Sequence, residues 1–153
     1  MSFLVRFSGI FLAVILLLTA CNGGDEASQI DQLKLQLEEM GKNPNRDPGA
    51  LNELLTQLAE AYEQESQNNE DEAQRGEMIF MAAENYESSR SQFNKALTLY
   101  QELANNYASH PRHSDALFKL GFIYNNTLKD TARARDAYQK FINMYPDDEL
   151  ADD

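Results

Sequence analysis

Cysteine, tryptophan and histidine are almost missing from this chain. It has one cysteine, no tryptophan and two histidines in 153 residues. A lone cysteine excludes an internal disulfide and the multi-cysteine zinc sites. The two histidines, His110 and His113, flank Pro111 and are expected in a solvated turn. With Asp115 they lack a further ligand at metal spacing. Positive charge is scarce as well, with 13 Lys and Arg against 25 Asp and Glu and a net charge of −12. Such a surface repels phosphate, which makes nucleic acid a poor partner. No Walker loop, dinucleotide glycine motif or GxSxG string is present. The acidic run Glu70-Asp71-Glu72 lacks calcium-loop spacing and suits a helix N-terminus. No catalytic residue, cofactor or metal is therefore expected, and the chain does not read as an enzyme.

What is present begins with a targeting segment. Arg6 is the only charge in the first twenty residues. An apolar run follows from Phe7 to Leu18. It matches the roughly 7–15 residues of a signal-peptide core and falls short of the roughly 20 a spanning helix needs. Thr19, Ala20 and Cys21 come next. The string Leu18-Thr19-Ala20-Cys21 resembles the lipobox of bacterial lipoproteins. The resemblance implies cleavage after residue 20, with Cys21 as the acylated N-terminus. Lipidation would also explain the leftover thiol, and several acyl chains would hold the protein to a membrane. Loss of residues 1–20 leaves 12 basic against 25 acidic side chains, a net charge of −13. In the enterobacterial sorting rule an aspartate after the cysteine retains a lipoprotein at the inner membrane. Asn22 stands there instead, which points to the outer membrane. Residues 21–28 then read as a flexible polar tether.

Helical signals occupy the rest. Ile30, Leu33, Leu37 and Met40 form one stripe of a short helix over 29–40. Two uses are open to it: packing onto the following domain, or a coiled-coil trimer. Residues 41–49 hold two prolines and break the helix. The helical domain is placed at 50–153. Its helices are expected at 50–67, 72–89, 92–108, 113–128 and 131–145, with Asp47 or Pro48 opening the first of them. That first helix reads as the orphan second half of a degenerate repeat, because Leu51–Thr56 echoes Phe93–Thr98.

The fold follows from a self-comparison. Sliding the chain along itself until Phe80 falls on Phe118 also sets Tyr86 on Tyr124, Ala96 on Ala134 and Tyr100 on Tyr138. Gln101, Asn105 and Tyr107 meet Gln139, Asn143 and Tyr145. Seven of 33 pairs are identical, where chance gives about two, and a fixed period of this size marks a stacked helical repeat. Repeats of about 75–112 and 113–150 result. The second reads Leu117-x2-Leu120-Gly121-x2-Tyr124, then Ala134-x3-Tyr138, then Pro146. This resembles the tetratricopeptide pattern, with Leu117 for its tryptophan and Tyr138 for its phenylalanine. The spacing from Tyr124 to Ala134 is one residue longer than the pattern. In the first repeat Ala83 stands for the glycine. The resemblance implies an all-α fold of antiparallel helix hairpins in a short right-handed solenoid. The chain stops where a third first-helix should begin, so an open apolar face is expected there.

In the tetratricopeptide family the first helices line a concave face that holds partner peptides. Carried over by position, that face comprises Glu77, Phe80, Glu84 and Glu87 from one repeat. The other supplies Asp115, Phe118, Phe122, Asn125 and Asn126. Three phenylalanines with an acidic flank suit a peptide with apolar anchors and some positive charge. The plan as a whole resembles outer-membrane β-barrel assembly lipoproteins and the Tol–Pal-associated cell-division coordinator family. It implies a membrane-anchored scaffold of the cell envelope that binds envelope proteins or peptides. The alternative is a self-associating structural spacer, joined through the Ile30–Met40 stripe or the open C-terminal face. The oligomeric state is not legible.

Overall fold

The computed structural model describes residues 28–152. The leader, Cys21 and most of the tether lie outside the described residues. Six α-helices follow in order: α1 Gln29–Gly41, α2 Pro48–Asn68, α3 Glu72–Ser89, α4 Phe93–Asn106, α5 His113–Phe122 and α6 Thr131–Met144. A π-helical turn, Ile123–Thr127, extends α5, and a short 3-10 turn spans Glu149–Asp152. There is no strand among the described residues, and each helix packs chiefly on its chain neighbours. This is the all-α stack of helical hairpins that the sequence repeat implies.

Side-chain caps set most helix starts. Ser28 accepts from Asp31 N–H at 3.2 Å, Asp47 from Ala50 N–H at 2.8 Å, Asp71 from Gln74 N–H at 2.8 Å and Asp130 from Arg133 N–H at 2.9 Å. Each satisfies an amide that has no partner within the helix. Pro48 takes the first helical position, where its missing N–H costs nothing.

The leading helix α1 is not free. Its stripe packs against α2, with Leu33 buried and Ile30, Leu37 and Met40 against the core. That surface is used up within the chain, which removes the coiled-coil reading and with it self-association through this stripe. It also corrects the reading of α2 as an orphan: α1 is its hairpin partner. The side chains recur here on the same step that carries Phe80 to Phe118. Tyr86 donates to Glu63 Oε2 at 2.7 Å, and Gln101, one step on from Glu63, donates to the Tyr124 hydroxyl at 2.7 Å. Lys95 lies 4.7 Å from the Tyr86 ring centre, as Arg133 does from that of Tyr124. The resemblance of 51–56 to 93–98 is thus out of the register in which the contacts recur.

The longer spacing before Ala134 is absorbed locally. Leu128 N–H donates to Ile123 O at 3.0 Å, a wider closure than the α-helical one, and it broadens the end of α5. The expected α-helix to residue 128 therefore ends as α-helix at Phe122. The repeat tyrosines Tyr86, Tyr100 and Tyr124 are buried in the core, with Tyr138 partly buried against it. Gly121 is required for the last of these contacts, because a Cβ there would meet the Tyr138 ring at 2.5 Å.

Candidate functional site

The joint between the two repeats is built by a residue that the sequence pattern does not mark, Arg112. It precedes α5 and reaches back to α3. Its Nε donates to Glu77 Oε2 at 3.1 Å and its Nη2 to Glu77 Oε1 at 3.0 Å. Nη1 donates to Asp115 Oδ2 at 3.2 Å, and the guanidinium sits 4.8 Å from the Phe80 ring centre. This is a forked carboxylate clamp stacked on an aromatic face, an arrangement arginine can make and lysine cannot. The hydrogen bonds to Glu77, then the one to Asp115, hold Arg112 firmly in its charged form.

A second bridge lies further along α3. Lys119 donates to Glu87 Oε2 at 3.0 Å, and the Tyr100 hydroxyl donates to the same oxygen at 2.9 Å. Burial, with Glu87 beside it, raises the Tyr100 pKa well above the usual phenol range, so Tyr100 stays a donor. The expected acidic flank is thus largely neutralised. Glu77 and Asp115 share Arg112, and Glu87 is bound by Lys119 and Tyr100. Glu84 is different. It is half-buried, has no hydrogen bond or ion pair among the described residues, and burial raises its pKa.

The three phenylalanines do not form one apolar centre. Phe80 is only 3% exposed and packs edge-on against Tyr100 at 5.9 Å, so it belongs to the core. Phe118 turns towards α6, edge-on to Tyr138 at 5.7 Å and to Phe141 at 5.6 Å. With Asn125 it lines a hollow at the C-terminal end of the stack. Phe122 alone is open, at 45% exposure, near the exposed Asn125 and Asn126 in the chain. The reason lies in helix geometry: residues three and four apart share a face only if the helix is straight, and that face is bare only if its neighbours leave it so. Between α3 and α5 the neighbours close over Phe80. What stays accessible there is a hollow lined by Met81, Glu84, Asn85, Ser88, Phe93 and Lys119, among others.

The histidines are not in a solvated turn. His113 is 2% exposed; its Nε2 lies 3.1 Å from Ala104 O and its Nδ1 2.6 Å from the Tyr145 hydroxyl. Arg112 N–H donates to His110 Nδ1 at 3.1 Å, which leaves His110 Nε2 to donate to Ala73 O at 2.8 Å. Gly76 makes room for that imidazole, because a Cβ at 76 would fall 2.6 Å from His110 Cδ2. Both rings are hydrogen-bonded joints between helices, and Asp115 turns to Arg112 instead of towards them. No group of three or more His, Cys, Asp and Glu among the described residues is placed to hold a metal.

The architecture of paired helices with small residues at the crossings and tyrosines around them has a recognised counterpart. Residues 77–110 and 115–148 each match the family model of the tetratricopeptide repeat. The chain carries two tetratricopeptide repeats. The matched segments fall inside the two units found by self-comparison, and α1 and α2 precede them as a further hairpin. No curated protein and no solved structure matches the chain significantly. Tetratricopeptide repeats are units of protein-interaction scaffolds and typically lack catalytic groups. No helix among the described residues is long and apolar enough to cross a membrane.

Proposed function

We propose that this protein is a lipid-anchored adaptor of the bacterial cell envelope, without enzymatic activity, that binds partner proteins or peptides through its tetratricopeptide repeats. The observation that carries the binding role is the open strip on the first helices. Glu84 is half-buried, and its desolvation outweighs the attraction of Lys119 and Arg112, while Phe122 is a large apolar side chain left in water. Both cost free energy in the isolated chain, and a partner that brings a cation to one and an apolar anchor to the other relieves both. Asn125 and Asn126, exposed and about one turn along the chain from Phe122, supply hydrogen-bonding groups. The bound segment therefore has a basic residue and an apolar residue in reach of each other.

The anchor rests on the sequence alone: an apolar leader, a lipobox-like string and the sole cysteine, Cys21. Asn22 favours the outer membrane over the inner one. Mass spectrometry of the mature protein checks the anchor, and a first residue other than acylated Cys21 rejects it. The adaptor role is checked by in-cell crosslinking and recovery of partners with the native chain and with Phe122→Glu. Recovery should collapse in the variant while its melting temperature holds. Equal recovery would remove this strip from the reading.

A further inference from the structure

We infer that the hollow between α4 and α6 is a docking site for an acidic side chain of a partner protein, flanked there by an aliphatic residue. The hollow encloses about 210 Å³. Its apolar lining is Ala104, Leu117, Leu120 and Ala137, and its polar lining includes Arg133, Lys140 and Asn105. It contains neither Glu84 nor Phe122, so it stands apart from the strip proposed above. The chain itself shows what this site lacks, because the preceding joint carries the same parts together with their acids. There Lys95 lies 4.7 Å from the Tyr86 ring centre, donates to the Tyr86 hydroxyl at 2.9 Å and is 3.8 Å from both Glu60 and Glu63. Tyr86 in turn donates to Glu63.

One repeat step later the cation and the ring remain and the acids do not. Arg133 lies 4.7 Å from the Tyr124 ring centre, while Glu60, Glu63 and Glu102 become Thr98, Gln101 and Lys140. Gln101 donates to the Tyr124 hydroxyl at 2.7 Å, and none of the described residues accepts the proton of that hydroxyl. Arg133 keeps one ion-pair partner among the described residues, Asp130 at the start of its own helix, bound through Nε at 2.7 Å. Lys140 has no ion pair or hydrogen bond among them. Asp136, the one acid in the lining, pairs with neither base. The same positions are thus acidic in the first joint and basic in the second. A carboxylate from outside takes the place of Glu63: it accepts from Tyr124 and meets the two cations. The apolar lining receives the aliphatic neighbour of that acid. A net charge of −12 opposes nucleic acid or an anionic membrane, so two local cations suit a single short acidic segment.

The test uses the full chain, carried in nanodiscs of neutral lipid and labelled at its leucine methyls, so that Leu117 and Leu120 report from the hollow by NMR. The probe is the end-blocked peptide Ala-Leu-Glu-Glu-Leu-Ala, and its counterpart has glutamine for both glutamates. The acidic peptide should give saturable shifts at both leucines, and the glutamine peptide should bind about tenfold more weakly or less. Gln101→Glu restores the acid of the first joint. It should raise the melting temperature and weaken the acidic peptide by about tenfold or more. Lys140→Glu should weaken the peptide similarly with little change in melting temperature, since Lys140 is exposed and unpaired. Three results would overturn the proposal: no saturable shift, equal binding of the glutamine peptide, or undiminished binding by Gln101→Glu or Lys140→Glu. A melting temperature lowered by Gln101→Glu would overturn it too, because the hollow would then not lack an acid. Equal shifts with inorganic phosphate would do the same, by assigning the hollow to any small anion. None of these results bears on the strip of Glu84 and Phe122.

Discussion

Gly121 and Tyr138 are in contact across the crossing of α5 and α6, close enough that a Cβ at position 121 would lie 2.5 Å from Tyr138 Cε1 and 2.6 Å from Cδ1. The ring fills the space that the missing side chain leaves. This pair sets how near the two helices of the second repeat approach, and hence how Phe118 meets Tyr138 and Phe141 behind it.

Gly121→Ala should lower stability although alanine is the better helix former. The helix gain is about 1 kcal/mol, and displacing the ring costs about 1–3 kcal/mol. Urea unfolding of the single and double variants measures this. In a Tyr138→Ala background the same substitution should become stabilising. If the penalty persists without the ring, Tyr138 is not its cause.

Phe80 and Phe122 should separate sharply. Phe80→Ala should cost about 3–5 kcal/mol, as expected for a buried aromatic. Phe122→Ala should change stability by no more than about 0.5 kcal/mol. Similar unfolding midpoints for the two would contradict the burial described here.

Arg112 ties the repeats by a partly exposed clamp, so its worth is modest. The coupling between Arg112→Ala and Glu77→Ala should be about 0.5–1 kcal/mol in a double-mutant cycle, reduced by added salt. Arg112→Lys should recover little of it, because one ammonium cannot reproduce the fork. Full recovery by lysine would show that charge alone matters at this position.

Glu84 gives a pH signature. Burial raises its folded-state pKa above the ordinary value of 4.5. Between the unfolded and folded pKa values the native state binds the extra proton, so its contribution to stability falls as pH rises through that window. The penalty is fully present above the folded value and absent below the unfolded one. Glu84→Gln should therefore raise the melting temperature at neutral pH. That gain should shrink as the pH is lowered towards and below 4.5. A gain independent of pH would mean that the charge of Glu84 is not what costs stability.

The helices were largely legible because their signals are local. The spacing of Ile30, Leu33, Leu37 and Met40, the caps Asp47, Asp71 and Asp130, and the placing of tyrosines within each repeat all act within a few turns. The packing of α1 on α2 was one of the two uses left open for its stripe, since a stripe on one helix does not by itself say which surface covers it. The role of Gly76 escaped for the same reason. Its need appears only when His110, distant in the chain, is brought against it.

The exposure and charge of the candidate site's residues were not legible. Position in the repeat named Glu84, which is half-buried beside a hollow, and Phe122, which is exposed. It also gathered Phe80, which the next repeat buries, and acids that Arg112 and Lys119 neutralise. Arg112 carries no pattern of its own, being a single basic residue in a turn, and only its reach to Glu77 gives it meaning.

The order of residues alone determined an all-helical chain, its repeat length and the lipobox-like string at Cys21, because helix periodicity and short motifs depend on neighbours in sequence. The tertiary structure decided which of the repeated positions are covered. Exposure and charge balance are set by groups far apart in the chain, as when Arg112 meets Glu77 and when α5 closes over Tyr100.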